Sequence, residues 1–560
     1  MRLLASLLAT AALAVALGLL LFVSRSGGAA DFPSQEPQGG RVHPQGDVFR
    51  SPTTEPPTIN PFTTRDQVAA RYVLPFTHDA LVDLDPESGR PRPAAAESWS
   101  VAADNRSVTF RLRSDLLFAD GSPVTRDDIE FTLATARDPR LAPRSQMAFA
   151  LTDLASAEVL DERTIQLASS EPRAEPALAL GADVRLTSRR FFAAATGTTP
   201  GTDAFFARLP DVARCGPGTG PYAEQDVVLG TRGWVPGSHL NLVRNPHSWR
   251  RAAFPDAWNL AGLQLRFVVE EAARLTAART GQVDWFLSQS GADVEAMLEA
   301  DEELSRRFRL HRYDPRHLGH YFVVWNCRRA PLDDARVRRA LGRLFDRETI
   351  ARDVFGGLAT PAEGYFKPGM AEYPDRPLMP AFDPARAGAE LAAMGFGAGS
   401  DPLRIEILCA TEVPILRRIA ELAAAHCRTA GVELVVRPLE YGTMFAKQAD
   451  GDFDAVLWIQ QHGSVLDPHD YFALGANDMG YDDEELEQTL LAARAASSPA
   501  DRIAGYHRFQ EILAERQPIT LLVHPQIAVL VDRRFQDATP GPLGLWPEPF
   551  WVPKDRQIVR

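Results

Sequence analysis

At 560 residues the chain exceeds what one hydrophobic core usually organises, so two or three domains are expected. Its composition is that of a soluble globular protein, 45% hydrophobic and 24% charged, with a formal net charge of -13. That balance excludes a nucleic-acid binder working through a basic face, and four scattered cysteines exclude a disulfide framework or a CxxC zinc site.

Residues 1–30 have the form of an export signal. Arg2 supplies the charge, Leu3 to Val23 carries none, and SRSGGAA leads into Asp31, so cleavage after Ala30 is expected. The apolar run is also long enough to span a bilayer, which leaves an uncleaved N-terminal anchor as the alternative. Export follows either way, and no nearby cysteine offers a lipid attachment point. Residues 31–57, rich in Pro, Gly and Gln, read as a disordered spacer.

The folded part begins at TINPF and continues in a helix-like stretch through Tyr72. AAESWSV and SVTFRLR alternate as two strands of a hairpin joined at Asp104-Asn105. FADGSPVTRDDIEF then predicts a turn and a helix capped by Thr125, with Asp127 and Asp128 favourable in its first turn. Two amphipathic strands follow, around Ala157 to Leu160 and Thr164 to Ala168. GPGTGPY, residues 216–222, lacks the Lys-Ser/Thr of a phosphate loop, and its Pro221-Tyr222 points to a strand. LQLRFVVEEAARLTAARTGQVDWFL reads strand, helix, strand, in the manner of a βαβ unit.

In YFVVWNCRRAPLDDARVRRALGRLFDRETI, alternate residues Tyr321, Val323 and Trp325 lie on one strand face. Asp333 or Asp334 caps a helix that buries Val337, Ala340, Leu341 and Leu344. Strands LRIEILCA and VELVVRPL flank a helix from Pro414 to about Thr429, and a long helix runs from Ser498 to Arg516 before ITLLVHPQIAVLV. Cys409 ends a strand and Cys427 the helix after it, roughly 20 Å apart at 1.5 Å per residue, so they should not bridge. Cys215 with Cys327 stays open as a pair, against free buried thiols.

No HExxH, G-x-S-x-G, P-loop or metal-spaced His/Cys cluster is present, so neither catalysis nor a cofactor or metal is expected. His311, His317 and His320 are close in sequence, where loop solvation competes with a metal site.

Several motifs resemble the family 5 extracellular solute-binding proteins, the oligopeptide, dipeptide and nickel receptors of ABC importers. TINPF resembles the family's T-L-N-P strand, and residues 94–131 its L-A-x-S-W, F-x-L-R and F-x-D-G-x-P-[VF]-T segments. GTGPY, the hairpin WVPGSHLNLVRNPHSW and the central PLDDARVRRA with DRETI complete the likeness, which spans roughly residues 50–535.

The resemblance implies an α/β, two-lobed periplasmic binding protein fold of type II, cluster C-like, with mixed sheets joined by crossing hinge strands. It divides the chain into lobe one at 47–83, 181–267 and 524–560, a small subdomain at 84–180, and lobe two at 268–523. Leu263 to Val269 would be one crossing and ITLLVHPQIAVLV the returning one. The implied function is capture of a peptide-like or other small solute in an interlobe cleft, by a monomer, for the permease subunits of an ABC importer. An anchored sensor or chaperone-like receptor without an importer is the alternative, and an exported hydrolase is the rival from another class. Contact with membrane is expected only through the N-terminal segment, the location being periplasm or cell envelope.

Peptide-binding members carry W-x-x-D-x-x-D-P, whose first aspartate pairs with the ligand amine. Here Trp458 and Asp467-Pro468 match the ends, the aspartate position falls on Gln461, and a neutral amide cannot neutralise a cation. Asp467 is the substitute if its loop turns inward, or else a turn cap. Tyr321, Trp325, Asn326, Tyr365, Phe366, Trp458 and Gln460 complete the candidate set, with core packing the alternative for the aromatic residues.

Overall fold

The computed structural model describes residues 43–558, apart from 67, 86–89, 142–143, 152–153, 289–290, 316–317, 398–401, 462–466, 474–478, 497 and 542–543. Its contacts form two units. A terminal unit holds residues 43–288, 296–313 and 529–558, and a central unit holds 291–295 and 314–528. The expected signal or anchor at 1–30 lies outside the described residues. Among those described, no helix is long and apolar enough to cross a membrane.

The terminal unit starts earlier than the Pro- and Gly-rich composition of 31–57 suggests. Val48–Thr53 is a strand, paired in parallel with Gly262–Phe267. Phe49 is buried against Phe535 and Phe550, with ring centroids 5.1 and 5.3 Å away. Partners far along the chain thus order a segment whose own sequence offers little to bury. TINPF, expected as a strand, is instead a turn. The Asn60 amide donates to the Leu209 and Val212 carbonyls at 3.2 and 2.9 Å, and its Oδ1 accepts from the Phe62 N–H. Such side-chain bonds compete with a strand ladder. A π-helix at Ala69–Val73 and a short α-helix at Leu74–Thr77 follow.

The five-stranded sheet of this unit runs Val48–Thr53, Gly262–Phe267, His239–Arg244, Tyr222–Glu224, with Trp234–Val235 paired to His239–Arg244. A separate antiparallel sheet orders Ala96–Val101, Ser107–Leu112, Thr164–Ser169 and Leu154–Val159. Its hairpin turns at Asn105, φ 55°, as the Asp104-Asn105 signal predicts. Thr125 caps the Arg126–Ala136 helix in a reciprocal box: its hydroxyl accepts from the Asp128 N–H, and Asp128 accepts from the Thr125 N–H at 3.0 Å.

The glycines of GPGTGPY are a matter of packing. A Cβ at Gly218 would stand 2.1 Å from the Thr77 carbonyl oxygen, and one at Gly220 2.5 Å from that of Phe76. The Gly220 N–H donates to Thr77 O at 2.9 Å, so two backbones approach with no side chain between them.

Gly262–Phe267, Glu271–Arg279 and Trp285–Ser288 do run strand, helix, strand, but they are not a βαβ unit. The first strand belongs to the five-stranded sheet, the last to a three-stranded one with Ile527–Asp532 at its centre and Phe308–Tyr313 beyond. Which sheet a strand joins is a tertiary choice that local pattern does not carry. Asp284, at the start of that last strand and fully buried, accepts from the Arg50 side chain at 2.7 and 3.0 Å and pairs with Arg534 at 2.9 Å. Residues 268–288 and 296–313, placed by the resemblance in lobe two, group here with the terminal unit.

The central unit is built on a six-stranded mixed sheet in the order Ala359–Pro361, Ile519–Pro525, Leu318–Trp325, Ala455–Gln461, Leu403–Ala410, Val432–Leu439. Leu403–Ala410 and Val432–Leu439 are parallel and joined by the Pro414–Thr429 helix, which buries Leu416, Ile419, Ala420, Ala423 and Cys427. Asp334, rather than Asp333, caps Ala335–Gly342, and Ser498 caps Pro499–Arg516. All four cysteines are free thiols, Cys215 and Cys327 included.

Candidate functional site

Leu318–Trp325 and Ala455–Gln461 lie side by side and antiparallel, with Phe322 opposite Trp458 and Tyr321 opposite Ile459. Side chains alternate across a sheet, so His320, Phe322, Trp458 and Gln460 share one face while Tyr321 and Trp325 share the other. The candidate residues therefore divide. Tyr321 packs edge-on to Phe355 at 4.9 Å. Trp325 is 1% exposed and its indole N–H donates to Thr520 Oγ1 at 2.9 Å, which makes it a core residue with a satisfied donor. Asn326, just past the strand, ties down the Gly451 and Phe453 carbonyls at 3.0 and 2.9 Å.

On the other face Trp458 stacks on Tyr441, centroids 5.6 Å apart, and meets the Phe445 ring edge-on at 5.0 Å. Gln460 is half-buried, and its carbonyl oxygen is shielded from water with no hydrogen-bond donor among the described residues. A buried amide oxygen left so is costly in an empty protein and is a natural point for a ligand N–H or O–H. The Gln461 side chain lies outside the described residues.

At the same end of the sheet His320 is buried with its ring 4.7 Å from Tyr365 and 5.9 Å from His524. Tyr365 also contacts Phe366, Phe472 and Phe509, and the Tyr365 and Phe366 N–H groups donate to Gln510 Oε1 at 3.0 and 3.3 Å. His524 faces the Gly319 and Gly364 carbonyls at 3.4 and 3.2 Å. Burial, reinforced by the Lys367 charge, pushes its pKa down to about 3, so the ring is neutral. The Lys367 ammonium, itself pulled down by burial, donates to Asp314 at 2.7 Å.

His320 is thus a strand residue inside an aromatic cluster, not part of a solvated loop, because the strand begins at Leu318. His311 is on the Phe308–Tyr313 strand of the terminal unit, and His317 lies outside the described residues. Among the described residues no group of His, Cys, Asp or Glu is arranged to hold a metal ion.

Asp467 is committed within the fold. Its Oδ2 pairs with Arg494 Nε at 2.7 Å, its Oδ1 accepts from the His469 N–H at 3.1 Å, and the two paired side chains are 6% and 5% exposed. The cap reading is the one the geometry carries. The segment therefore holds a carboxylate already neutralised by a guanidinium, an aromatic face at Trp458 and a neutral amide at Gln460. Sequence reasoning did not find Arg494, His524 or Gln510, whose roles come from neighbours distant in the chain.

The sequence model for bacterial extracellular solute-binding proteins, family 5 middle part, matches residues 90–481. The chain belongs to this family. This family 5 protein is 26% identical over 501 residues to di/tripeptide-binding protein 2 of Pseudomonas aeruginosa, covering 81% of this chain and 87% of that one. It is 22% identical over 494 residues to heme-binding protein A of Haemophilus influenzae, covering 83% and 85%. Its structure matches the oligopeptide-binding protein AppA of Bacillus subtilis with a TM-score of 0.68 at 16% identity, over 91% of this chain and all of that one. That likeness establishes the mixed α/β fold of the oligopeptide-binding proteins, as the motifs implied.

Proposed function

We propose that this family 5 protein captures a peptide-like or other small solute and delivers it unchanged to the permease subunits of an ABC importer. It acts as an exported monomer in the periplasm or cell envelope, held there by residues 1–30 if these are not cleaved. Family membership over residues 90–481 carries the reading, supported by relatives whose names record di- and tripeptides and heme. The solute is recognised by the Trp458 face and the Gln460 amide rather than by a carboxylate. A ligand ammonium seeking Asp467 would have to displace Arg494, and stripping a buried charge of its partner is costly. The experiment is native mass spectrometry of the full chain purified without refolding from an exporting host. A reproducible bound mass, lost on denaturation, is expected. Protein that stays empty across hosts and peptide-rich media refutes the reading.

A further inference from the structure

The terminal unit has a cavity of about 480 Å³ beside the Arg126–Ala136 helix, within the size range of small-molecule sites. Asp127, Phe131, Ala134 and Thr135 line it, at the three- and four-residue intervals that put side chains on one helix face. Arg189, Gly201 and Phe206 also line it, and a Cβ at Gly201 would meet nothing within 4 Å, so no neighbour fills the space there. The aromatic lining is held in place. Phe131 packs on Phe62 and Phe205 with ring centroids 5.6 and 5.9 Å away. The Arg140 guanidinium lies 3.8 Å from the centre of the Phe206 ring while pairing with Asp138 at 2.8 Å and Asp203 at 2.9 Å.

Most charges around the cavity are already matched. Asp138 is paired with Arg140, and Glu130 with Arg126 at 2.7 Å. The exposed side chains of Asp127 and Arg189 are the exceptions: among the described residues neither makes a hydrogen bond or an ion pair, not even with the other. They stand at the same end, because the Arg189 N–H donates to Asp128 Oδ1 at 2.8 Å and so holds its helix beside the first turn of Arg126–Ala136. Thr135 is two turns on, about 12 Å along the axis. It is only 3% exposed, yet its hydroxyl makes no hydrogen bond among the described residues, whereas that of Thr132 in the same helix donates to the Asp128 carbonyl at 2.8 Å. A buried hydroxyl without a partner, aimed into a cavity, is a position kept for a ligand group. The cavity thus offers one free anion and one free cation at one end, aromatic rings along its length and a free hydroxyl further on.

We infer that this cavity is a second binding site, which takes a free α-amino acid with a large aromatic side chain and a polar tip. The ammonium pairs with Asp127 and the carboxylate with Arg189, the ring lies along Phe131 and Phe206, and the tip meets the Thr135 hydroxyl. The site belongs to the terminal unit, whereas Trp458 and Gln460 belong to the central one, so the inference does not depend on which solute they take. The test is calorimetry and saturation-transfer NMR on the full chain with four probes: L-tyrosine, L-phenylalanine, tyramine, which lacks the carboxylate, and 3-(4-hydroxyphenyl)propionate, which lacks the ammonium. Wild type should bind L-tyrosine with a Kd of about 1 mM or tighter. Tyramine and the propionate should each bind roughly tenfold or more weakly than that. Arg189→Gln should erase the preference for tyrosine over tyramine, and Asp127→Asn the preference over the propionate. L-phenylalanine should bind about fivefold more weakly than tyrosine, a difference lost in Thr135→Val. Asp127 and Arg189 are both exposed, so their variants keep the fold. Wild type that does not bind tyrosine, or preferences that survive in the variants, overturns the site. Binding lost in Gln460→Met but kept in Asp127→Asn and Arg189→Gln puts the amino acid at Trp458 and overturns it as well.

Discussion

Replacing Arg494 by Met separates the two roles open to Asp467. In the native protein the pair is 2.7 Å apart and almost wholly out of solvent, at 5% and 6% exposure. Removing the guanidinium takes from the carboxylate the counter-charge held at 2.7 Å, a loss of about 3–5 kcal/mol for a buried pair. A domain of about 200 residues loses 2–4 °C of Tm per kcal/mol, so the transition of the central unit should fall by roughly 6–20 °C. Adding Asp467→Asn should restore much of this, because the amide still accepts from the backbone and needs no cation. Thermal and denaturant unfolding of the single and double variants gives the coupling directly. If Arg494→Met loses less than about 1 kcal/mol and instead gains affinity for free-amine peptides, Asp467 is a ligand residue and the reasoning here fails.

Other outcomes follow from the same geometry. Gly218→Ala should cost about 3 kcal/mol or more in urea unfolding, because its Cβ would meet backbone at 2.1 Å. Gly230→Ala, with φ +67° and open space, should cost only about 1–2 kcal/mol, and equal losses would refute the packing account. His524 has a depressed pKa, so its contribution is present in full above pH 6.5 and is lost as pH falls from 6.5 towards 3, by about 1.4 kcal/mol per pH unit. His524→Gln should flatten the fall in stability between pH 6.5 and 5 by that amount, and an unchanged slope would count against a neutral buried imidazole. Gln460→Met should leave Tm within about 1 °C while lowering bound solute in native mass spectra by roughly fivefold or more; full retention would remove Gln460 from the site.

What could be read from the sequence was what is locally determined. The Ala96–Leu112 hairpin and the Thr125 cap were legible because alternation, a turn residue and a capping box all lie within a few positions of each other. The strand Val48–Thr53 was not, since its ladder partner and the rings around Phe49 come from far along the chain. Trp458 and Gln460 were found through a motif, but the commitment of Asp467 depends on Arg494, 27 positions away.

The run ITLLVHPQIAVLV supplies Ile519–Pro525 to the six-stranded sheet and, after Gln526 alone, Ile527–Asp532 to the middle of the three-stranded sheet. Both insertions are internal: the first strand lies between Ala359–Pro361 and Leu318–Trp325, the second between Trp285–Ser288 and Phe308–Tyr313. A growing chain therefore cannot finish either sheet until almost its last residues have been made. Until then each sheet has a gap bordered by strands with unmet backbone groups, and premature closure is disfavoured. The last strands of the chain therefore set the moment at which the six-stranded and the three-stranded sheet can each be completed.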